Sequence, residues 1–116
     1  MKIKNKPWGY EVWYAHENGL YIGKKIFIKK GERMSLQAHR KKHETFFLDK
    51  GKAKVIVDDD IFTVEDKDPY EFRIFVIPPK TKHRIIAIED SIFFESSTDH
   101  PGDVIRYEDD YNRSNK

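Results

Sequence analysis

Four residues of this chain have the types and the spacing to hold a metal ion: Gln37, His39, Glu44 and His83. Gln37 and His39 are two apart, so on an extended strand their side chains share one face. A turn through Arg40-Lys41-Lys42 leads to Glu44, which begins the next apolar run, Thr45-Phe46-Phe47-Leu48. His83 opens a later run after Pro78-Pro79-Lys80-Thr81-Lys82. Two imidazoles with a carboxylate and an amide oxygen suit zinc, manganese, iron, cobalt or nickel better than calcium. The chain has no cysteine, so disulfides are excluded and any metal must take nitrogen and oxygen ligands.

For such residues to meet, neighbouring strands must turn their inward positions towards one point, as a small barrel does. The sequence provides the strands. Apolar, β-branched or aromatic residues alternate with polar ones in YEVWYA, KIFIK, TFFLDK, AKVIV, IFTV, FRIFVI, HRIIAI and SIFFES. Turn signals fall between them, among them Glu17-Asn18-Gly19, Lys50-Gly51, Asp58-Asp59-Asp60 and Pro78-Pro79. Short strands at this spacing predict an all-β sandwich or closed barrel. One helix is expected, with Asp103 as N-cap of Pro101-Gly102-Asp103 leading into VIRYEDDY. The end of the chain, Arg113 to Lys116, is polar and expected to fray.

With 116 residues the chain fits one domain, 1–116, and 38% hydrophobic residues suffice for a packed core. Its 22 basic and 20 acidic residues nearly balance, which gives no reason to expect nucleic acid or a membrane as partner. No apolar run approaches the roughly 20 residues of a membrane span. The start, MKIKNKPWGYEV, lacks the apolar stretch of a signal peptide, so a cytoplasmic protein is expected. His16, His43 and His100 read as surface residues. Trp8 and Trp13 read as packing in the barrel wall.

The full spacing pattern resembles the cupin superfamily, whose fold is a double-stranded β-helix or jelly-roll barrel. Its first motif runs Gly, five residues, His-x-His, three or four residues, Glu, six residues, Gly. Here Gly31, Gln37-Ala38-His39, Glu44 and Gly51 match every interval, with Gln37 in place of the first histidine. The second motif, Pro-x-Gly-x-x-His, corresponds to Pro78 through His83, with Lys80 where glycine is usual. Three further stretches resemble the type II phosphomannose isomerase domain, which is also the C-terminal half of mannose-1-phosphate guanylyltransferases. These are Lys6-Pro7-Trp8-Gly9, the strand Gly31 to His39, and the closing Asp103 to Arg113.

That resemblance implies a zinc site of Gln37, His39, Glu44 and His83, and mannose 6-phosphate-type aldose–ketose isomerisation. It also aligns Glu95 with a glutamate of the isomerase domain. Glu95 is the expected base, with Lys42 and Arg106 as cations for a phosphate or an enediolate. The chain departs from the family at Lys42, where arginine is usual, at Thr45, where histidine is usual, and at Asn112 in place of glycine. A cupin that binds metal and a carbohydrate or other small metabolite without turnover is the alternative reading, with other metal-cupin chemistry a third. Cupins commonly pair their barrels, so a homodimer through the segment Lys6 to Ala15 is expected.

Overall fold

The computed structural model describes residues 1–110. The closing resemblance at Tyr111, Asn112 and Arg113, and the expected fraying, lie outside the described residues. Among the described residues, eleven strands form two antiparallel sheets: β1 (Lys2–Lys6), β2 (Gly9–Glu17), β3 (Tyr21–Ile28), β4 (Leu36–His39), β5 (Glu44–Lys50), β6 (Lys52–Val57), β7 (Asp60–Glu65), β8 (Ile74–Ile77), β9 (His83–Ala87), β10 (Ser91–Thr98) and β11 (Val104–Glu108). The larger sheet has the order β1-β2-β3-β10-β5-β8, and the smaller β11-β4-β9-β6-β7. All eight alternating runs of the sequence lie in strands, with Phe72 and Arg73 of FRIFVI in a short 3-10 turn before β8.

The strand period of two divides each sheet into an inner and an outer face. On β5, Glu44, Phe46 and Leu48 are buried while Thr45 and Phe47 are half-buried on the other side. At one end the inner positions are apolar: Ile26, Ile28, Leu48, Val55, Val64, Ile85 and Phe93 form a closed core, with Phe46 edge-on to Phe93 at 6.4 Å. At the other end they become ionisable: Lys24, His39, Glu44, His83 and Glu95, all buried. The core anchors the strands, and the polar end is where their chemistry gathers.

The motif glycines answer to geometry. Gly51 joins β5 to β6 with φ 101°, and a Cβ there would lie 2.2 Å from the Asp90 carbonyl oxygen. Lys80, in the usual glycine position, adopts φ 65°, the left-handed region. The tight turn is therefore kept. Its amide donates to the His39 carbonyl at 2.6 Å. A left-handed conformation costs a side-chain-bearing residue about 1–2 kcal/mol, part of which glycine loses again through its freer unfolded chain. Lys80→Gly is therefore expected to stabilise the protein by about 0.5–1 kcal/mol, read as a melting temperature a few degrees higher. An unchanged or lower melting temperature contradicts this.

The expected helix after Asp103 is a strand. Residues Val104–Glu108 form β11 and pair with β4, Val104 opposite His39 and Arg106 opposite Gln37. Asp103 caps a different element: its carboxylate accepts from the backbone amides of Lys41 and Lys42. The local cap signature was real, but the partner is the β4–β5 turn.

Candidate metal centre

Three of the four expected ligands converge. His39 Nε2 lies 3.1 Å and His83 Nε2 3.2 Å from the same Glu44 oxygen, Oε2. The three side chains are buried, at 7%, 2% and 2% exposure, which removes water as a routine partner. His39 comes from β4 and His83 from β9 in the smaller sheet, while Glu44 comes from β5 in the larger.

Backbone carbonyls set the tautomers. His39 Nδ1 donates to the Asp103 carbonyl and His83 Nδ1 to the Thr81 carbonyl, each at 2.9 Å. A carbonyl oxygen only accepts, so Nδ1 carries the hydrogen and a neutral ring presents the Nε2 lone pair to Glu44. His39 Nε2, His83 Nε2 and Glu44 Oε2 make no hydrogen bond. Three buried acceptors facing each other are destabilising unless a cation sits among them. The residues present thus fit a divalent ion held by two imidazoles and a carboxylate.

Gln37 lies directly across from His83 in the β4–β9 pairing and lines the same cavity as His39 and Glu44. Its Oε1 accepts from Ser35 Oγ at 3.2 Å.

Glu44 divides its oxygens. Oε2 faces the imidazoles, and Oε1 is 3.3 Å from Lys42 Nζ, which is also 3.0 Å from Glu95 Oε2. Burial pushes the Glu44 carboxyl up, and the Lys42 ammonium beside Oε1 pulls it down. Burial likewise opposes the Lys42 ammonium, yet Glu95 and Glu44 together raise its pKa. Glu95 Oε2 also accepts from Ser97 Oγ at 2.8 Å and lies 3.8 Å from Lys24 Nζ. Lys24 in turn is 3.5 Å from Glu11 Oε1, and that oxygen accepts from Trp13 Nε1 at 2.8 Å. Charges of alternating sign therefore run from Glu11 through Lys24, Glu95 and Lys42 to Glu44.

All three expected catalytic residues line this cavity: Lys42, Glu95 and Arg106. Glu11 and Lys24 were missed by sequence reading. The available signal was the two-residue spacing of Glu11 and Trp13, which puts the carboxylate on the face of a buried tryptophan. Thr45, one of the departures, points to the opposite face of β5 from Glu44, so it leaves the cluster untouched. His16 and His43 are exposed, as expected, and His100 is half-buried. Trp8 and Trp13 are buried in the wall.

Asp103 holds this centre twice. Its carbonyl orients His39, and its carboxylate pins the turn that carries Lys42. Partners of metal ligands commonly contribute about 10–100-fold to metal affinity. Asp103→Ala, which keeps the carbonyl but frees the turn, is expected to weaken the binding of a divalent ion by about 10-fold in a chelator competition. Wild-type affinity in the variant would show that the turn needs no such anchor.

The two facing sheets and the His39–Glu44–His83 cluster define a cupin. The chain belongs to the mannose-6-phosphate isomerase C-terminal family, whose model matches residues 2–109. No curated protein matches the sequence. Similar solved structures include the capsular polysaccharide assembling protein CapF from Staphylococcus aureus, at 18% identity and TM-score 0.77 over 93% of this chain and 32% of CapF. KdgF from Halomonas sp. is similar at 16% identity and TM-score 0.72, covering 86% of this chain and 87% of KdgF. An RmlC-like cupin from Shewanella frigidimarina gives 18% identity and TM-score 0.72, with 87% and 86% covered. This chain thus spans about a third of CapF's length, and at these identities the likeness is one of fold. Among the described residues, no helix is long and apolar enough to cross a membrane.

Proposed function

We propose that this chain is a metal-dependent sugar-phosphate isomerase of the mannose-6-phosphate type, one cytoplasmic cupin domain over 1–116, acting as a homodimer. Gln37, His39, Glu44 and His83 hold one divalent ion, zinc by preference over manganese, iron, cobalt or nickel. The observation that carries this reading is the trio of buried, unpartnered ligand atoms beside the Lys42–Glu95 pair. An ion bound there supplies Lewis-acid polarisation of the sugar's oxygens.

The chain's own residues do the rest. Glu95 takes the proton from the carbon beside the carbonyl and returns it to the neighbouring carbon through the enediol. Lys42 keeps its proton, because its pKa is raised, and so contributes fixed charge beside Glu95 rather than a proton shuttle. Arg106 offers a planar donor fork for an anionic group of the substrate. β1 is an edge strand of the larger sheet and covers β2, so a homodimer contact through that edge would be made by Lys2–Lys6 and not by the strand part of the Lys6 to Ala15 segment.

One observation favours a second reading, a cupin that binds metal and a carbohydrate without turnover. The cavity holding the cluster has a volume of about 100 Å³, smaller than the roughly 300 Å³ at which small-molecule pockets usually begin. A wider hollow of about 560 Å³ beside Tyr14, Leu20 and Tyr21 reaches Glu44 from the other side. The deciding experiment is metal analysis of the purified protein, followed by deuterium exchange at sugar C1 and C2 over a panel of aldose and ketose phosphates. One metal per chain with exchange is expected. Retained metal without exchange on any substrate selects the binding module, and no metal after reconstitution removes both readings.

A further inference from the structure

One residue from each strand of the larger sheet joins a row across its outer face: Ile3, Val12, Lys25, Phe94, Phe47 and Ile74. The register sets the row, since each of these residues lies directly opposite the next. All but Lys25 are apolar. Tyr14 adds a ring edge-on to Phe94 at 6.3 Å, and Val76 lies on the same side of β8 as Ile74. Ile3, Tyr14, Ile74 and Val76 are exposed, at 62%, 55%, 46% and 55%. The outer side of the smaller sheet differs, for it carries Lys54 and Arg84, the latter 3.3 Å from Asp110. An apolar patch that spans a whole sheet marks a contact surface.

The edges of this sheet are poor places for such a contact. Lys2 and Lys4 of β1 turn inward opposite Trp13 and Glu11, with Nζ 5.0 and 4.1 Å from the centre of the Trp13 ring. Inward charges on an edge strand deter pairing with a second sheet. β8, the other edge, has only four residues. The face, in contrast, suits a copy of itself. Its central strands carry Lys25 on β3 and Asp49 on β5, both half-buried. Among the described residues neither makes an ion pair. They stand two strands apart, about 10 Å, too far to pair within one copy. A two-fold axis in the plane of the face, running along β10, lays β3 of one copy over β5 of the other. Lys25 then comes over Phe47, and Asp49 is about 7 Å further along β5, within a lysine's reach. The symmetry makes that pairing twice. We propose that the outer face of the larger sheet binds a second copy of this chain, with Phe94 packed on its counterpart and Lys25 of each copy paired with Asp49 of the other. This contact rests on the homodimer reading above and moves it from the β1 edge to a face that includes Val12 and Tyr14.

Sedimentation of the full chain over a range of concentrations tests this contact. The wild type is expected to run at twice the chain mass. Lys25→Glu and Asp49→Lys each act twice in a symmetric pair, so each should weaken dimerisation by about 10-fold or more. Lys25→Glu/Asp49→Lys exchanges the charges and should restore dimerisation. A double variant no tighter than either single one overturns the pairing. Phe47→Lys should give a monomer whose far-UV circular dichroism matches the wild type. If that variant fails to fold, the charge exchange, which touches only half-buried surface positions, decides alone. Dimers that ignore all of these substitutions overturn the face and leave a homodimer joined at an edge. A monomeric wild type overturns the face and the homodimer together, and leaves the patch to a different protein.

Discussion

Replacing Lys42 with methionine destabilises the folded protein by about 3–5 kcal/mol, the cost of leaving buried charges without their counter-charge. Lys42 Nζ is 3.3 Å from Glu44 Oε1 and 3.0 Å from Glu95 Oε2, and its side chain is buried with theirs. Methionine matches its length and apolar stem, so packing is conserved and the lost charge dominates. The two carboxylates then face each other across a dry gap. Denaturant unfolding of the metal-free proteins measures the difference. A change below about 1 kcal/mol would place the pair among weak, solvent-screened ion pairs. Lys42→Arg serves as the charge-preserving comparison and restores the residue usual in the family. Its planar fork suits the two carboxylates, but its extra bulk enters a closed space, so partial recovery is expected.

Glu95→Gln removes proton transfer and leaves the metal in place. A positioned general base contributes about 10²–10⁴-fold to the rate, so exchange at C1 and C2 should fall by that factor. The amide keeps the shape and an oxygen acceptor for Ser97 Oγ. Glu95 is not among the three converging ligand atoms, so metal content should be unchanged. Turnover at the wild-type rate would take Glu95 out of the mechanism. Loss of metal would make it part of the cage instead.

The fold was legible wherever one strand face meets the apolar core. The runs of β5, β6, β9 and β10 alternate because Phe46, Val55, Ile85 and Phe93 pack inward while their neighbours do not. β1 escaped notice because Lys2-Ile3-Lys4-Asn5-Lys6 has one apolar residue, and its inner face lies over a charged cavity instead of the core. β11 was misread because Pro101-Gly102-Asp103 is a genuine capping sequence, whereas its pairing with β4 depends on residues some 65 positions away. Long-range pairing leaves no local trace.

The candidate site was legible in part for the same reasons. His39, Glu44 and His83 sit at spacings fixed by the turns between strands, so motif intervals carry their convergence. Gln37 follows from its alternation with His39. The partners of these residues were not readable. Nothing in the sequence says that the Asp103 and Thr81 carbonyls set the histidine tautomers, or that Lys42 bridges two carboxylates. Those contacts arise only when the two sheets close.

That the cluster draws on both layers has a mechanical consequence. β5 and the β4–β9 pair share no ladder hydrogen bond, so among the described residues Glu44 meets the histidines only across the interior. An ion seated there would rivet one layer to the other. It would have little hold on an isolated hairpin and much on the closed barrel, so loading would act as a late clasp on folding. Chelation should then loosen the seam between the layers before it disturbs either sheet.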